Sequence, residues 1–160
     1  MKHQIEKWRT IKAEECFSSK WFSVEKNKVV LPNGLQIDDY YVVKSNDSAI
    51  IVALDSNNQV LLKEEYRMPV DEILYELPAG SFEDDDTCLL ETAKRELLEE
   101  TGYCSEEWQE LGITYDCPDR YNNRLHLFLA KDVHKQKEQS LDTSEIINYV
   151  NCNNKLDTLR

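Results

Sequence analysis

Three glutamates crowded onto one helical turn constrain this chain more than any other feature. Glu96, Glu99 and Glu100 stand at spacing i, i+3 and i+4. Helix residues succeed one another at roughly 100°, so the three carboxylates share one face. Each like-charged neighbour costs about 0.3 kcal/mol, and the C-terminal end of a helix already disfavours negative charge. The pattern therefore predicts a counter-cation: Arg95 four residues before Glu99, or a hard divalent metal ion.

The helix that carries these glutamates is predicted to run from about Asp86 to Thr101. Acidic residues at positions 84–86 suit a helix N-terminus, and Gly102 suits a C-terminal stop. An apolar stripe beside the acidic face is formed by Leu89, Leu90, Ala93 and Leu97. The carboxylates should therefore stand at the edge of a buried surface. The alternative is an ordinary solvated acidic helix end.

The remaining pattern is one of strands, before and after this helix. Asn33-Gly34 between apolar runs predicts a hairpin, and residues 56–58 predict a turn. The predicted strands cover residues 21–24, 28–31, 40–43, 49–54, 60–66, 73–77, 111–115, 124–130 and 146–150. Strands, one central helix and further strands predict an α+β sandwich, and 160 residues suit one domain.

The composition excludes several classes of function. A formal net charge of −12 opposes general nucleic-acid binding, which needs a basic surface. No stretch approaches the roughly 18 apolar residues of a membrane span, and the N-terminus lacks the apolar core of a secretory signal. The 5 cysteines are odd in number and include no Cys-x-x-Cys pair, so we expect a reducing cytoplasm.

The segment from Gly80 to Tyr103 resembles the box of the Nudix hydrolases, Gly-x5-Glu-x7-Arg-Glu-U-x-Glu-Glu-x-Gly-U with U apolar. The half from Arg95 to Tyr103 agrees at every specified position if Tyr103 counts as apolar. The first half is one residue longer than the family pattern. The box glutamate therefore falls on Asp86 counted from Gly80, and on Thr87 counted back from Arg95.

Residues outside the box resemble one branch of that family, the ADP-ribose and ADP-sugar pyrophosphatases. They are the segments 65–70, 75–80 and 123–130, and Pro118, which lies fifteen residues after Tyr103. The resemblance implies a Nudix-type α/β/α sandwich with a mixed β-sheet and one central catalytic helix. It also implies a single domain over residues 1–160, with residues 1–45 aiding dimerisation and 46–150 forming the catalytic core.

The resemblance further implies a set of site residues. Glu96, Glu100 and the carbonyl of Ala79 would bind Mg²⁺ or possibly Mn²⁺, with Glu99 as ligand or supporting partner and Arg95 orienting the glutamates. Glu145 is the candidate general base, with Asp142 and Glu138 behind it; a solvated loop acid is the alternative. Candidate substrate contacts are Arg67, Trp21 and Pro118, and Phe22 and Tyr40 could also stack on a base. A surface arginine and core or dimer-interface aromatics are the alternatives.

Three functions stay open from the sequence. The first is a homodimeric, Mg²⁺-dependent hydrolase that splits ADP-ribose or an ADP-sugar into AMP and a sugar phosphate. The second is a Nudix hydrolase of another substrate, such as a nucleoside triphosphate or a dinucleoside polyphosphate. The third is a non-catalytic nucleotide sensor. All three expect a small-molecule partner, and neither nucleic acid nor membrane.

Overall fold

The structure is a computed structural model that describes residues 5–152, with side chains described to residue 150. Its backbone divides into two compact units. The first combines the chain up to Asn46 with Tyr115–Asn123, and the second combines Asp47–Thr114 with the chain from Arg124 onward.

The first unit is built on a three-stranded antiparallel sheet. Its strands, in spatial order, are β1 (Arg9–Ser18), β2 (Ser23–Val30) and β3 (Gln36–Lys44). The hairpin predicted at Asn33-Gly34 is confirmed: Gly34 has φ 86°, which glycine adopts without strain. The two short strands predicted at 21–24 and 28–31 are one strand, β2. We did not predict β1, because all ten of its residues are exposed and no buried face marks it.

The inserted segment Tyr115–Asn123 joins this unit through backbone hydrogen bonds to β3. The amide of Val43 donates to the carbonyl of Arg120 at 2.8 Å, and Asn122 donates to the carbonyl of Val43 at 3.2 Å. A cavity of about 360 Å³ lies between them, lined by Tyr40, Val42, Tyr115, Pro118, Asp119, Arg120, Tyr121 and Asn122.

The second unit contains a seven-stranded mixed sheet with spatial order β12-β5-β4-β10-β9, to which β6 adds beside β5 and β7 beside β4. The pair β4–β10 is parallel and the other pairs are antiparallel. Its strands are β4 (Ser48–Leu54), β5 (Val60–Arg67), β6 (Glu72–Glu76), β7 (Ala79–Ser81), β9 (Glu107–Thr114), β10 (Leu125–Lys131) and β12 (Ile147–Cys152). A small separate pair is formed by β8 (Tyr103–Cys104) and β11 (His134–Lys135).

Helix α1 (Leu89–Thr101) packs on this sheet and closes its core. Ala93 and Leu97 are fully buried against Ile51 and Phe128 of the central strands. Burying a side chain of leucine size stabilises the fold by roughly 1.5–3 kcal/mol. The apolar stripe therefore fixes the rotation of the helix on the sheet, and with it the position of the glutamates.

The sequence predicted the C-terminal end of α1 correctly and its N-terminal end less accurately. The predicted stop at Gly102 is confirmed: its φ is 75°, and its amide donates to the carbonyl of Leu98. The predicted start at Asp86 is wrong by three residues, since the helix begins at Leu89. Asp86 belongs to a turn, in which its amide donates to the carbonyl of Glu83 at 3.0 Å.

The predicted α+β class, with a mixed sheet and one central helix, is confirmed. Helix α1 is the one helix within residues 5–152. It therefore forms the helical layer that these residues contribute to the expected sandwich. Among residues 5–152, no helix is long and apolar enough to cross a membrane.

Candidate active site

The glutamates of α1 stand against the short strand β7. Gly80 lies so close to Glu96 that a Cβ on the glycine would be 2.0 Å from the carboxylate carbon Cδ. A side chain at this position would therefore displace the carboxylate of Glu96. One residue earlier, the amide of Ala79 donates to Oε2 of Glu100 at 3.1 Å. The Ala-Gly dipeptide thus brings the backbone directly against two of the predicted site carboxylates.

Arg95 forms the centre of an open acidic cluster, which we call the Arg95 cluster: Arg95, Glu83, Asp86, Glu96 and Glu99. Its Nη1 donates to Oε1 of Glu96 at 2.8 Å and to Oε2 of Glu99 at 3.2 Å. The same atom lies 3.7 Å from Glu83, and Nη2 donates to Asp86 at 3.0 Å. One guanidinium therefore faces four carboxylates, which leaves a surplus of negative charge.

Asp86, one of the two candidates for the box glutamate, contacts Arg95. Its carboxylate accepts hydrogen bonds from Arg95, from the hydroxyl of Thr92 at 2.9 Å and from the amide of Glu83 at 3.0 Å. The Arg95 hydrogen bond is the main cause that lowers the pKa of Asp86 to about 2. The extra residue of the box is accommodated in the turn before α1.

A second cluster, which the sequence did not predict, extends from the interior to the surface. We call it the Lys63 cluster: Lys63, Glu65, Arg67, Glu76 and Glu100. Lys63, on β5, is 2% exposed and donates from Nζ to Oε1 of Glu100, which is 3% exposed. Its Nζ also lies 3.2 Å from Oε2 of Glu65. Two cations here face three carboxylates, so the cluster is close to neutral.

Lys63 remains charged in spite of its burial. Burial by itself lowers the pKa of a lysine, but the charges and hydrogen bonds of Glu100 and Glu65 outweigh it and raise the pKa of Lys63 above its ordinary value. A signal for its position was present in the sequence. Leu61 and Lys63 are two residues apart on a strand, so they point to the same face, and Leu61 is fully buried.

Arg67, the predicted phosphate contact, is hydrogen-bonded to carboxylates of the Lys63 cluster. It donates to Glu76 from Nε at 3.0 Å and from Nη2 at 2.7 Å, and to Glu65 from Nη1 at 2.9 Å. Its side chain is partly exposed. A phosphate would therefore have to compete with two carboxylates that already hold the guanidinium.

The donor atoms of this site suit a hard divalent cation, although they are not yet gathered around one point. Within the described side chains, no three acidic, histidine or cysteine residues form a ready ligand set, because the glutamates are turned toward Arg95 and Lys63. The chemistry nevertheless fits, since the surplus carboxylates supply hard oxygen donors. Burial also raises the pKa of Glu96 to about 7, a cost that an added cation would offset.

The candidate general base Glu145 acts electrostatically on Glu100. Burial raises the pKa of Glu100, and the charge of Glu145 adds to that rise while Lys63 opposes it. Glu145 is half-buried, and its Oε2 accepts from the amide of Asp142 at 3.1 Å. Glu138, by contrast, is exposed and pairs with Lys135.

The segment before Glu145 ties the end of α1 to β12. The side-chain amide of Gln139 donates to the carbonyl of Glu100 and, at 3.2 Å, to that of Ile147. The amide of Ser140 donates to the carbonyl of Glu99 at 2.9 Å. These contacts satisfy helix carbonyls that have no partner within the helix. The two contacts with α1 join residues about forty positions apart in sequence, and no local pattern predicts them.

Trp21 and Pro118 belong to the unit built on β1–β3, whereas the carboxylates belong to the other unit. Trp21 is exposed, and the ammonium of Lys20 lies 4.0 Å from the centre of its ring. Pro118 and Tyr40 line the cavity of that unit. Tyr40 also donates its hydroxyl to the carbonyl of Asp119 at 3.0 Å and packs edge-on against Trp8.

Comparison with known proteins gives two family matches along the chain. Residues 44–154 match the NUDIX domain, and residues 8–43 match the nucleoside diphosphate sugar hydrolase N-terminal domain. Among individual proteins, the chain is 32% identical over 143 residues to the methanol dehydrogenase activator of Bacillus methanolicus, covering 89% of this chain and 76% of that protein. It is 29% identical over 140 residues to an ADP-ribose pyrophosphatase of Bacillus subtilis, covering 87% and 75%.

A solved structure supports the fold. The crystal structure of an ADP compounds hydrolase superposes with a TM-score of 0.76 at 20% identity, covering 93% of this chain and 80% of that one. At this level of identity the likeness establishes the fold, and it confirms the expected mixed sheet around one central helix.

Proposed function

The chain belongs to the Nudix family of pyrophosphohydrolases, and from that premise we propose that it hydrolyses the pyrophosphate bond of ADP-ribose or an ADP-sugar, releasing AMP and a sugar phosphate. The observation that carries the proposal is the Arg95 cluster beside Gly80, where four carboxylates surround one guanidinium. Surplus carboxylate oxygens can bind a divalent cation, and the cation can in turn bind the phosphates of the substrate.

The choice of substrate rests on relatives as well as on this chain. A pyrophosphatase of ADP-ribose is among the similar proteins, and the N-terminal match is to a domain of nucleoside diphosphate sugar hydrolases. A GDP-mannose pyrophosphatase of Yersinia enterocolitica is also similar, at 31% identity over 127 residues. The common chemistry is a nucleoside diphosphate joined to a sugar, and ADP-ribose is the member we favour.

Each residue of the proposed site has a separate role. Arg95, fixed by Asp86, orients Glu96 and Glu99, and Gly80 leaves room for the carboxylate of Glu96. We assign the cation, Mg²⁺ or Mn²⁺, to the carboxylates of α1 with the carbonyl of Ala79. A divalent cation held there would neutralise pyrophosphate charge and acidify the attacking water. Glu145 accepts the proton of that water.

We also propose that the chain acts as a homodimer through the unit of β1–β3. Its exposed apolar side chains include Trp8, Ile11, Phe17, Trp21, Phe22, Leu35 and Tyr41. So many exposed apolar side chains on one small unit are typical of a protein that uses this unit as an interface. Sedimentation equilibrium would give about twice the chain mass of 18.8 kDa for the dimer, and the single chain mass at all concentrations would contradict it.

A cytoplasmic location is part of the same proposal. Cys16, Cys88, Cys104 and Cys117 are free thiols, as expected in a reducing compartment.

The decisive experiment is a substrate panel with the purified full chain. ADP-ribose, ADP-glucose, GDP-mannose, a diadenosine polyphosphate and a nucleoside triphosphate are each incubated with Mg²⁺ or Mn²⁺, and products are separated by ion-exchange chromatography. We expect AMP and ribose 5-phosphate from ADP-ribose as the fastest reaction. Tight binding of one compound without turnover of any would instead identify a sensor.

A further inference from the structure

We propose that Cys104 and His134 form a second cation site, which takes a thiophilic divalent cation such as Zn²⁺. The two residues face each other across the small antiparallel pair of β8 and β11. The site shares no residue with the Arg95 cluster or the Lys63 cluster. Its cation also differs in class from Mg²⁺ and Mn²⁺, because thiolate and imidazole select softer metals than carboxylates do. The inference does not depend on the proposed function.

The first support is the distance between the two ligand atoms. Sγ of Cys104 lies 3.3 Å from Nε2 of His134. Zinc binds sulfur at about 2.3 Å and imidazole nitrogen at about 2.0–2.1 Å, so two such ligands of one tetrahedral ion are about 3.6 Å apart. The observed distance is close to this value. A cation can therefore enter between the two atoms after only a small movement of either side chain.

The second support is the orientation of the imidazole. Nδ1 of His134 lies 3.4 Å from the carbonyl oxygen of Asp132, which can only accept a hydrogen bond. The proton of the neutral ring therefore belongs on Nδ1, and Nε2 keeps its lone pair for the thiol or for a metal ion. Metal-binding histidines are usually oriented in this way, by a carbonyl or a carboxylate that accepts from the other ring nitrogen.

The third support is that the backbone beside the two ligands is held in place. The hydroxyl of Ser105 donates to the carbonyl of Lys131, and the amide of Val133 donates to the carbonyl of Leu54 at 2.9 Å. Ser105 and Val133 are buried, whereas the neighbouring His134 is exposed. The ligand atoms thus belong to a fixed backbone at a place that a dissolved cation can reach.

The surroundings of the thiol favour a metal ligand over a catalytic nucleophile. Burial, and after it the negative charge of Glu106, raises the pKa of Cys104, whereas reactive cysteines have a lowered pKa. When Zn²⁺ binds, the S–H bond breaks, the proton passes to solvent and the sulfur binds the metal as thiolate. The carboxylate of Glu106 is the third ligand that we assign, and water completes the tetrahedral set.

A cation at this site would also stabilise the end of α1. The amides of Gln136 and Lys137, directly after β11, donate to the carbonyl of Gly102 at 2.9 Å and 3.1 Å. Gly102 is the residue that ends the helix. A metal ion that joins β8 to β11 therefore holds both sides of this contact, and we expect Zn²⁺ to raise the midpoint temperature of unfolding.

The test uses Co²⁺ as a spectroscopic substitute for Zn²⁺ on the full-length, reduced protein without substrate. Cobalt bound to a thiolate gives a sulfur-to-metal charge-transfer band in the near ultraviolet, and cobalt bound only to carboxylates does not. The Arg95 cluster is therefore silent in this measurement. We expect the band in the wild-type protein. Zn²⁺ should abolish it by displacing Co²⁺, and excess Mg²⁺, which prefers oxygen ligands, should leave it unchanged.

The variants are Cys104→Ser and His134→Gln, with Cys88→Ser as the matched control, because Cys88 is an exposed free thiol at the start of α1. We expect Cys104→Ser to abolish the band and His134→Gln to weaken Co²⁺ binding at least tenfold. Cys88→Ser should keep the band and the affinity of the wild type. Zn²⁺ should raise the midpoint temperature of unfolding in the wild type and in Cys88→Ser, but not in Cys104→Ser.

The inference is overturned by a wild-type protein without the band, by an undiminished band in Cys104→Ser, by wild-type affinity in His134→Gln, or by loss of the band in Cys88→Ser. Circular dichroism reports whether each variant is folded. Should one of the two site variants not fold, the other decides the matter, since each removes a different ligand. Because hydrolysis is not measured, failure of the proposed reaction would leave this inference standing.

Discussion

The Arg95 cluster and the Lys63 cluster flank the same helix end, and they use similar side chains in opposite ways. The Lys63 cluster is nearly neutral, and its ammonium is buried between the carboxylates of Glu65 and Glu100. The Arg95 cluster reaches solvent and carries surplus negative charge. The two clusters thus differ in the ratio of their charges and in burial, and we assign the proposed cation to the cluster with surplus negative charge.

Burial also determines what each cluster contributes to stability. A buried pair gains little over an apolar replacement, but removing one partner leaves a charge without compensation. An exposed pair loses little when it is broken, because water solvates what remains. The two clusters should therefore respond differently to equivalent substitutions, and the responses can be ranked.

The largest effect should come from Lys63→Met. It leaves Glu65 and Glu100 buried without their ammonium, and breaking a buried pair in this way costs about 3–5 kcal/mol. Denaturation by urea, followed by circular dichroism, gives the change in the free energy of unfolding. A loss below about 1 kcal/mol is the range of an exposed pair. It would mean that the ion pairs of Lys63 are no more sensitive to the loss of a partner than an exposed ion pair.

The next effect concerns activity. Gly80→Ala places a methyl group where the carboxylate of Glu96 lies, at 2.0 Å from its Cδ. We expect kcat/KM to fall by about a hundredfold, equivalent to roughly 2.7 kcal/mol of transition-state stabilisation. Ser81→Ala, one residue along the same strand, serves as the control and should remain close to wild type. Equal losses in both variants would indicate that β7, and not the contact with Glu96, is responsible.

A smaller and pH-dependent effect should follow from Asp86→Asn. The folded pKa of Asp86, about 2, lies below its ordinary value, so its contribution to stability is complete above about pH 4. It is lost as the pH falls toward 2. Because only 6% of this side chain is exposed, we expect the variant to be about 1–2 kcal/mol less stable at pH 7.

The measurement for Asp86→Asn is the free energy of unfolding of both proteins between pH 7 and pH 2. The difference between them should shrink toward zero at the acid end. A difference that is constant over this range would show that the Asp86 charge does not hold Arg95.

The smallest effect should come from Arg67→Lys. The guanidinium is partly exposed and holds Glu65 and Glu76, so its loss should cost at most about 1 kcal/mol of stability. KM for ADP-ribose should change less than threefold if Arg67 serves only the Lys63 cluster. A tenfold rise in KM with unchanged stability would instead indicate that Arg67 binds the substrate.

The features predicted from the sequence are those that local spacing determines. The match at residues 44–154 confirms the family resemblance drawn from Arg95 to Tyr103, and the helix stop at Gly102 is confirmed by its φ. The one-residue irregularity of the box could not be assigned from spacing, because Asp86 and Thr87 fit it equally well. The contacts of Asp86 with Arg95 and Thr92 favour Asp86.

The contacts that the sequence did not predict join residues far apart along the chain. Lys63 and Glu100 are 37 positions apart, and Gln139 lies 39 positions after Glu100. The spacing of Lys63 from Leu61 indicates its face of the strand, but no local pattern identifies its partner, and lysine is more often exposed than buried. Such pairings become visible only when the sheet brings β5, α1 and the segment before β12 together.

The three-stranded sheet of β1–β3 has a consequence for how the protein should be handled. Val29 is the one buried apolar side chain among the described residues of that unit, and all of β1 is exposed. A sheet with so small a core is marginal in water by itself. If a second copy covers it, the law of mass action makes protein concentration a determinant of stability. Dilution would then loosen this sheet before it affects the core around α1.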